Sequence, residues 1–218
     1  MKVLVFGATG TAGSGILRAC LMSPAVRDVR VLARRAPADV HEKMTVFVHD
    51  DYLDYAKVHT AFEGVNACLY ALGRSVRQTS GEAEYRRITH DFAMAAARQL
   101  RTSSPAAVMH YVSGQGAGLA SRFMWARVKA ETERDLPGVI ATVCWRPGFI
   151  DGGAAATGPR LYRALRPAFR LLRGARSLYV TGEDIGWAML QATVDGRREG
   201  VIENRQIRAL ADAARTTL

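Results

Sequence analysis

The sequence has few cysteines and no recognisable metal-binding motif. Cys20, Cys68 and Cys144 are odd in number, far apart and set in apolar surroundings, which is neither a disulfide framework nor a zinc pattern. Neither CxxC nor HExxH occurs. We therefore expect three buried free thiols and no metal site.

Long hydrophobic runs are also missing. The opening "MKVLVFGATG" is interrupted by Gly7 and Gly10 too early for a signal peptide or a membrane span. The chain has 218 residues, 49% of them hydrophobic, which suits one globular domain. We expect a single cytoplasmic domain over residues 1–218, with residues 149–218 contributing a small cap on the substrate side.

Acidic residues are in the minority. The chain carries 30 Lys and Arg against 20 Asp and Glu, a net charge of +10, and such an excess favours acidic partners. Six arginines recur at helical spacing between Arg160 and Arg176. They form either a solvated basic face or a surface for phosphate, anionic lipid or nucleic acid. The sequence has no nucleic-acid recognition motif, so nucleic acid is the least favoured of these partners.

Short β-branched runs alternate with longer helical patterns. Such runs are typical of strands buried on both faces of a parallel sheet, and their alternation with helices predicts a doubly wound α/β sheet, the Rossmann fold. The runs are "KVLVFG", "DVRVLAR", "MTVFVHD", "NACLYALG", "AAVMHYVS" and "VIATVCWRPG", with helices expected near residues 12–23, 54–62, 82–102 and 121–135. A further short strand should lead into a helix that begins near Thr181 to Asp184.

The glycine-rich stretch "GATGTAG" follows the first strand and opens the first helix, which is the context of a dinucleotide-binding turn. Gly7 would allow the tight turn, Gly10 the approach of a pyrophosphate, and Gly13 close packing of the helix on the sheet. The helix N-terminus would supply amide donors to the phosphates.

The end of the second strand predicts which nucleotide is bound. NAD sites usually place Asp or Glu there, to accept from the ribose 2′-hydroxyl. This chain has "LARRAP", and the guanidinium groups of Arg34 and Arg35 suit a 2′-phosphate. NADP is therefore predicted over NAD. In the alternative, one or both arginines only cover the strand end.

After the third strand, Asp51 is positioned to accept from an adenine amino group, whereas Asp50 or Asp54 could cap the next helix. The fourth strand ends in "YALG", where small residues would let a cofactor lie against the backbone.

Taken together, "GATGTAG", "HDDYLD", "YALG", "YVSGQG", "WARVK" and "RPGF" resemble the atypical short-chain dehydrogenase/reductase family, in order and spacing and over nearly the whole chain. The resemblance implies a Rossmann fold of the single-domain, epimerase-like branch. Ser113 and Lys129 match the family's catalytic serine and lysine, and Pro147 and Gly148 match the loop beside the nicotinamide. The cofactor-binding residues predicted from the motifs are Gly7, Thr9, Gly10, Thr11, Ala12, Gly13, Arg34, Arg35, Asp51, Tyr52, Ala71, Leu72, Gly73, Lys129, Pro147 and Gly148.

The chain departs from the family at Trp125, which stands where the family has its catalytic tyrosine. An indole N–H donates a hydrogen bond but does not exchange a proton near neutral pH. His90 and Tyr111 are substitute acids to consider, although neither stands at a family motif position and structural roles are favoured for both. We therefore expect an NADPH-dependent oxidoreductase whose acceptor takes its proton from water, such as a quinone or flavin. The alternative is a non-catalytic regulator that senses NADP(H).

Overall fold

The computed structural model describes residues 1–37, 40–151 and 178–218. Nine strands are present in these residues, and seven of them form one parallel sheet in the order β3-β2-β1-β4-β5-β6-β9. Strands β7 and β8 form a separate parallel pair. The strands are β1 (Lys2–Phe6), β2 (Asp28–Ala33), β3 (Met44–Val48), β4 (Ala67–Tyr70), β5 (Val108–Val112), β6 (Thr142–Arg146), β7 (Phe149–Asp151), β8 (Tyr179–Thr181) and β9 (Gly200–Glu203).

Helices cover both faces of the sheet because successive strand residues point to opposite sides. In β1, Val3 and Val5 belong to one buried cluster, whereas Leu4 and Phe6 belong to the other. The first cluster includes residues of α1, α5 and α6, and the second includes residues of α3. The α-helices are α1 (Gly13–Met22), α2 (Glu82–Arg86), α3 (Phe92–Ser103), α4 (Met124–Asp135), α5 (Gly182–Val194) and α6 (Asn204–Thr217). The predicted doubly wound Rossmann fold is confirmed.

Glycines let α1 and α5 pack in direct contact. A Cβ on Gly15 would lie 2.3 Å from the backbone nitrogen of Glu183, and one on Gly186 would lie 2.7 Å from the Cβ of Ala19. Helix α5 begins as predicted: the Thr181 hydroxyl accepts from the Asp184 N–H, and the Asp184 carboxylate accepts from the Thr181 N–H. Helix α5 therefore belongs to the layer that covers the sheet.

The cap predicted over residues 149–218 stays a prediction, and within that range the structure describes residues 149–151 and 178–218. Residues 182–218 form two packed helices and the edge strand β9, because their apolar residues complete the core on the α1 side. Strand β9 and helix α6 were not predicted. Residues 152–177, which include most of "DGGAAATGP" and the Arg160–Arg176 segment, lie outside the described residues.

The structure differs locally from three other expectations. The segment predicted as a helix at 54–62 is a 3₁₀ helix, Ala56–Phe62, with non-helical backbone at Val58. The helix predicted at 82–102 is interrupted by a π-helical turn, Arg87–Asp91, between α2 and α3. Strand β3 lies at the sheet edge, so it is not buried on both faces, and Val48 is exposed. Sequence periodicity does not distinguish these variants from regular helices and central strands.

The three cysteines are buried and free, as expected. Within the described ranges, none of the helices combines the length and the apolar character needed to span a membrane.

Candidate functional site

The glycine turn after β1 is closely packed at two of its three glycines. Gly7 has a positive φ of 72°, and a Cβ there would lie 2.5 Å from the carbonyl oxygen of Ala71. A Cβ on Gly13 would lie 1.9 Å from the carbonyl oxygen of Gly7. Among the described residues, a Cβ on Gly10 would meet only the Gly7 oxygen, at 3.2 Å. The protein itself therefore requires glycine at 7 and 13, whereas the space outside Gly10 is open.

Helix α1 starts directly beyond this turn. Its N-cap residue, Ala12, provides no side-chain hydrogen bond to the first helical turn. Ala12 is buried, and its carbonyl oxygen would lie 2.7 Å from a Cβ on Gly182. Thr9 is exposed and Thr11 is half-buried. The N-terminus of α1 is thus braced against α5 on one side while its first amides have no side-chain cap, an arrangement suited to an anion.

Two arginines follow β2 at the same edge of the sheet. Arg34 and Arg35 are exposed, and the described residues contain no ion pair to either side chain. The phenol of Tyr52 is buried against Phe92, with ring centroids 5.5 Å apart, and receives a backbone hydrogen bond from Arg34. Burial raises the Tyr52 pKa. Tyr52 therefore packs beneath the backbone that presents Arg34.

The turn after β3 is organised by its own polar groups. An oxygen of the Asp51 carboxylate accepts from the N–H of Leu53 at 3.0 Å, and the Asp54 carboxylate accepts from the N–H of Ala56 at 2.8 Å. Asp54 thus binds the first N–H of the following 3₁₀ helix from one position before its N-cap, Tyr55, which makes no side-chain cap hydrogen bond. Buried His49 places its Nε2 2.6 Å and 2.8 Å from the carbonyl oxygens of Asp51 and Asp54. Sequence reasoning missed His49, which holds this turn in shape.

The end of β4 lies directly beside the glycine turn. The N–H of Ala71 donates to the carbonyl of Phe6 at 3.2 Å, and Ala71 and Leu72 are half-buried. Gly73 is exposed, and a Cβ there would meet no atom of the described residues within 4 Å. Protein packing thus gives no reason for glycine at 73, which leaves room along this edge.

A cavity of about 480 Å³ opens at the ends of β5 and β6. The Ser113 side chain is buried in its wall, and its Oγ has no hydrogen-bond partner within the part of the chain that the structure describes. Buried polar groups are normally satisfied, and because this hydroxyl stands in the cavity wall, a bound molecule could supply its partner. The described lining residues are Ser113, Gly114, Gln115, Trp125, Pro147, Gly148, Phe149, Ile150 and Leu178, all of them uncharged.

Trp125 and Lys129 project from successive turns of α4 toward the loop after β5. Trp125 lines the cavity, and its ring atoms would lie 3.6 Å and 3.9 Å from Cβ atoms placed on Gly114 and Gly116. The Lys129 Nζ donates to the carbonyls of Val112 at 3.1 Å and Ser113 at 2.8 Å. Lys129 is therefore bound to the same loop that carries Ser113.

Burial lowers the pKa of Lys129 to about 8, although the nearby Glu133 carboxylate opposes the shift. The loss of solvation disfavours the ammonium form, and the two carbonyl oxygens and Glu133 partly compensate. Lys129 can therefore lose its proton at mildly alkaline pH.

FMP52 of Aspergillus fumigatus, named as a mitochondrial protein, is 31% identical to the chain over 195 residues, which cover 86% of this chain and 80% of that protein. The chain belongs to the FMP52 family. FMP52 of Saccharomyces cerevisiae is 28% identical over 202 residues, or 85% of this chain and 84% of its own length. No protein-family model matches the chain.

Solved structures agree with the fold. DesIV of Streptomyces venezuelae, a dTDP-glucose 4,6-dehydratase with NAD bound, superposes with a TM-score of 0.72 at 17% identity, covering 97% of this chain and 80% of that one. The UDP-glucose 4-epimerase of Thermus thermophilus, a complex with NAD, gives 0.69 at 20% identity, covering 98% and 83%. This FMP52-family chain thus has the Rossmann fold of the epimerase and dehydratase enzymes, in agreement with its resemblance to the atypical short-chain dehydrogenase/reductases.

The relatives overturn one expectation. All the FMP52 proteins described above are named mitochondrial, so the prediction of a cytoplasmic protein is wrong. That prediction rested on the absence of a signal peptide or a membrane span in the opening residues, and this absence does not exclude a mitochondrial location.

The two substitute acids have structural surroundings in this FMP52-family chain. His90 lies between carboxylates, with Nδ1 2.8 Å from Asp91 and Nε2 3.1 Å from Asp135. Tyr111 is buried in the sheet with its ring stacked on Tyr70, and burial raises its pKa. Neither residue is among the described residues that line the cavity.

Sequence reasoning missed the residues behind the cavity. Arg146 binds the Glu133 carboxylate through Nε at 3.0 Å and Nη2 at 2.6 Å, and it also binds Glu203 at 3.2 Å. Buried Asn204 accepts from the N–H of Gly148 at 2.7 Å. These partners are far apart in sequence, and only the "RPG" motif hinted that the segment is functional.

Proposed function

We propose that the protein binds NADP(H) along the carboxyl edge of its sheet and transfers hydride to a small quinone- or flavin-like acceptor without a catalytic tyrosine. The observation that carries the proposal is the strand order. The glycine turn lies at the end of β1, with the β2 end and its arginines on one side and the β5 and β6 ends with the cavity on the other. Ligands of doubly wound sheets bind across such a reversal of strand order.

The residues present fit a dinucleotide. The open space at Gly10 and the first amides of α1 suit a pyrophosphate, and the free guanidinium groups of Arg34 and Arg35 suit a 2′-phosphate. At the other end, Lys129 uses two of its three N–H groups on backbone carbonyls, which leaves one for ribose hydroxyls. Ser113 adds a hydroxyl that has no partner among the residues the structure describes.

The bound cofactor would supply the hydride. The chain holds the acceptor against it: Ser113 donates to an oxygen of the acceptor, while the apolar side chains of Trp125 and Phe149 exclude water and suit a flat ring. Trp125 cannot supply a proton. An acceptor that takes its proton from solvent after accepting hydride therefore suits the cavity better than an aldehyde or ketone.

A second candidate is an NADP(H)-sensing protein without turnover, and the observation that favours it is Trp125 in the tyrosine position. One experiment separates the two. Purified protein is tested for NADPH binding by fluorescence and for NADPH consumption with a panel of quinones, flavins and aldehydes. Consumption with quinones or flavins supports the oxidoreductase, and binding without consumption supports the sensor. An absence of NADPH binding contradicts both.

A further inference from the structure

The peptide group that joins Pro147 to Gly148 forms part of the cavity wall and is held at both of its polar atoms. The Pro147 carbonyl accepts from the N–H of Gln115 at 2.9 Å, and the Gly148 N–H donates to Oδ1 of Asn204 at 2.7 Å. Because the C=O and N–H of a peptide lie in one plane, these two bonds fix the rotation of that plane. A Cβ on Gly148 would also lie 2.5 Å from the Leu178 carbonyl oxygen, so the segment has little space to shift.

Asn204 is placed to serve this peptide. It is the first residue of α6 and only 1% exposed, and its side chain turns toward the cavity loop. Its Nδ2 donates to the carbonyl of Tyr179 at 3.3 Å. Asn204 thus links the loop after β6, strand β8 and helix α6. A buried amide that bridges segments in this way fixes their relative positions, because leaving its partners unpaired is costly.

The residue before Asn204 acts on the same loop. Glu203 binds Arg146, which precedes Pro147, and Arg146 also binds Glu133 on α4, one helical turn beyond Lys129. The end of β9 therefore contacts the residues on both sides of Pro147. Through Arg146 and Glu133 it is also connected to the helix that carries Lys129 and Trp125.

We infer that Asn204 is a positioning residue for the nicotinamide half of the cofactor: it holds the Pro147–Gly148 peptide in the orientation that shapes the cavity wall. The inference rests on the proposed NADP(H) site. It assigns the C-terminal strand and helix a part in the site, although Asn204 itself does not line the cavity. The adenosine half, at the ends of β1 and β2, should be independent of Asn204.

The test compares two ligands on the same protein. NADPH occupies both halves of the proposed site, whereas adenosine 2′,5′-bisphosphate occupies only the adenosine half. Asn204→Ala should weaken NADPH binding roughly three- to tenfold, as expected for one lost hydrogen bond. The affinity for adenosine 2′,5′-bisphosphate should remain unchanged.

Ser104→Ala is the matched control. Ser104 is also buried, accepts from one backbone N–H (Val65, 3.1 Å) and donates to one backbone carbonyl (Phe62, 2.8 Å). It lies before β5, at the amino-terminal ends of the strands and so opposite to the carboxyl ends that form the proposed site. The control should lose stability as Asn204→Ala does and keep the parent ratio of the two dissociation constants. If Asn204→Ala does not fold, Asn204→Ser replaces it in the test. The serine side chain is also polar but is one bond shorter than that of asparagine.

If the ratio of the two dissociation constants in the Asn204 variants equalled that of the parent, whether both affinities were kept or both fell equally, the positioning role would be overturned. A parent protein that binds neither ligand would instead overturn the proposed cofactor site, and the inference with it.

Discussion

Adding one methyl group to the glycine turn should have opposite consequences at Gly10 and Gly13. A Cβ on Gly13 would lie 1.9 Å from the Gly7 carbonyl oxygen, far inside the roughly 3.5 Å of a favourable contact between heavy atoms. That atom is backbone, so the turn must open, and we expect Gly13→Ala to cost about 3 kcal/mol or more of folding stability. A Cβ on Gly10 would meet only the same oxygen at 3.2 Å, and Gly10→Ala should change stability by less than about 1 kcal/mol.

Gly10→Ala should affect NADPH binding much more than it affects stability. In the Gly10→Ala protein the methyl group occupies the open side of the turn, where the pyrophosphate would approach. We expect NADPH binding to weaken by about 1.5 to 3 kcal/mol, roughly tenfold to 150-fold, as charge-assisted contacts to the phosphates are lost.

Urea unfolding gives the stability of each variant, and fluorescence titration gives its NADPH dissociation constant. A Gly10→Ala protein that is stable and binds NADPH like the parent would refute the assignment of the phosphates to this turn. If Gly13→Ala proved as stable as the parent, the packing derived for the turn would be wrong.

Three further predictions concern the two ends of the site. In the Arg34→Ala, Arg35→Ala double variant, the binding free energy of NADPH relative to NADH should fall by about 1.5 to 3 kcal/mol. Titrations that show equal losses of affinity for both cofactors would contradict the 2′-phosphate role. The affinity for NADPH should fall as pH rises through about 8, because the Lys129 ammonium is then lost. Lys129→Arg stays charged and should remove this pH dependence. If the affinity of the parent protein for NADPH did not change between pH 7 and pH 10, Lys129 would not contact the cofactor. Trp125→Tyr places a phenol near Ser113 and should give measurable reduction of simple aldehydes by NADPH, since general acid catalysis typically raises a rate by about 10²- to 10⁴-fold. If the variant bound NADPH like the parent but reduced no aldehyde, the cavity would not accept carbonyl substrates.

The parts of the structure that could be predicted from sequence are those set by local patterns. The apolar runs identify six strands of the main sheet, and the spacing of Gly7, Gly10 and Gly13 identifies the turn between β1 and α1. The capping pair Thr181 and Asp184 marks the start of α5. In each case the signal lies within a few neighbouring residues, so periodicity or a turn motif is enough to read it.

The parts that were missed depend on partners distant in the chain. Asn204 resembles an ordinary residue at a helix start, but its side chain binds a loop 56 positions earlier. Glu133 resembles an exposed helix carboxylate, yet its side chain is only 6% exposed because Arg146 neutralises it. Strand β9 is four residues long and mostly exposed, so its sequence has too little apolar character to indicate a strand.

The contacts of Lys129 are compatible with the proposed cofactor site in a chain that lacks the family's tyrosine. Its ammonium group is held by the carbonyls of Val112 and Ser113, and neither bond involves residue 125. Trp125 in turn packs against the loop after β5, where Gly116 has a positive φ of 88° and leaves space beside the indole. Holding the nicotinamide ribose, the role proposed for Lys129, and donating a proton would therefore be separable tasks in this fold. A chain that keeps the first and gives up the second can still position a hydride donor, and its choice of acceptor then depends on whether the acceptor can obtain its proton from water.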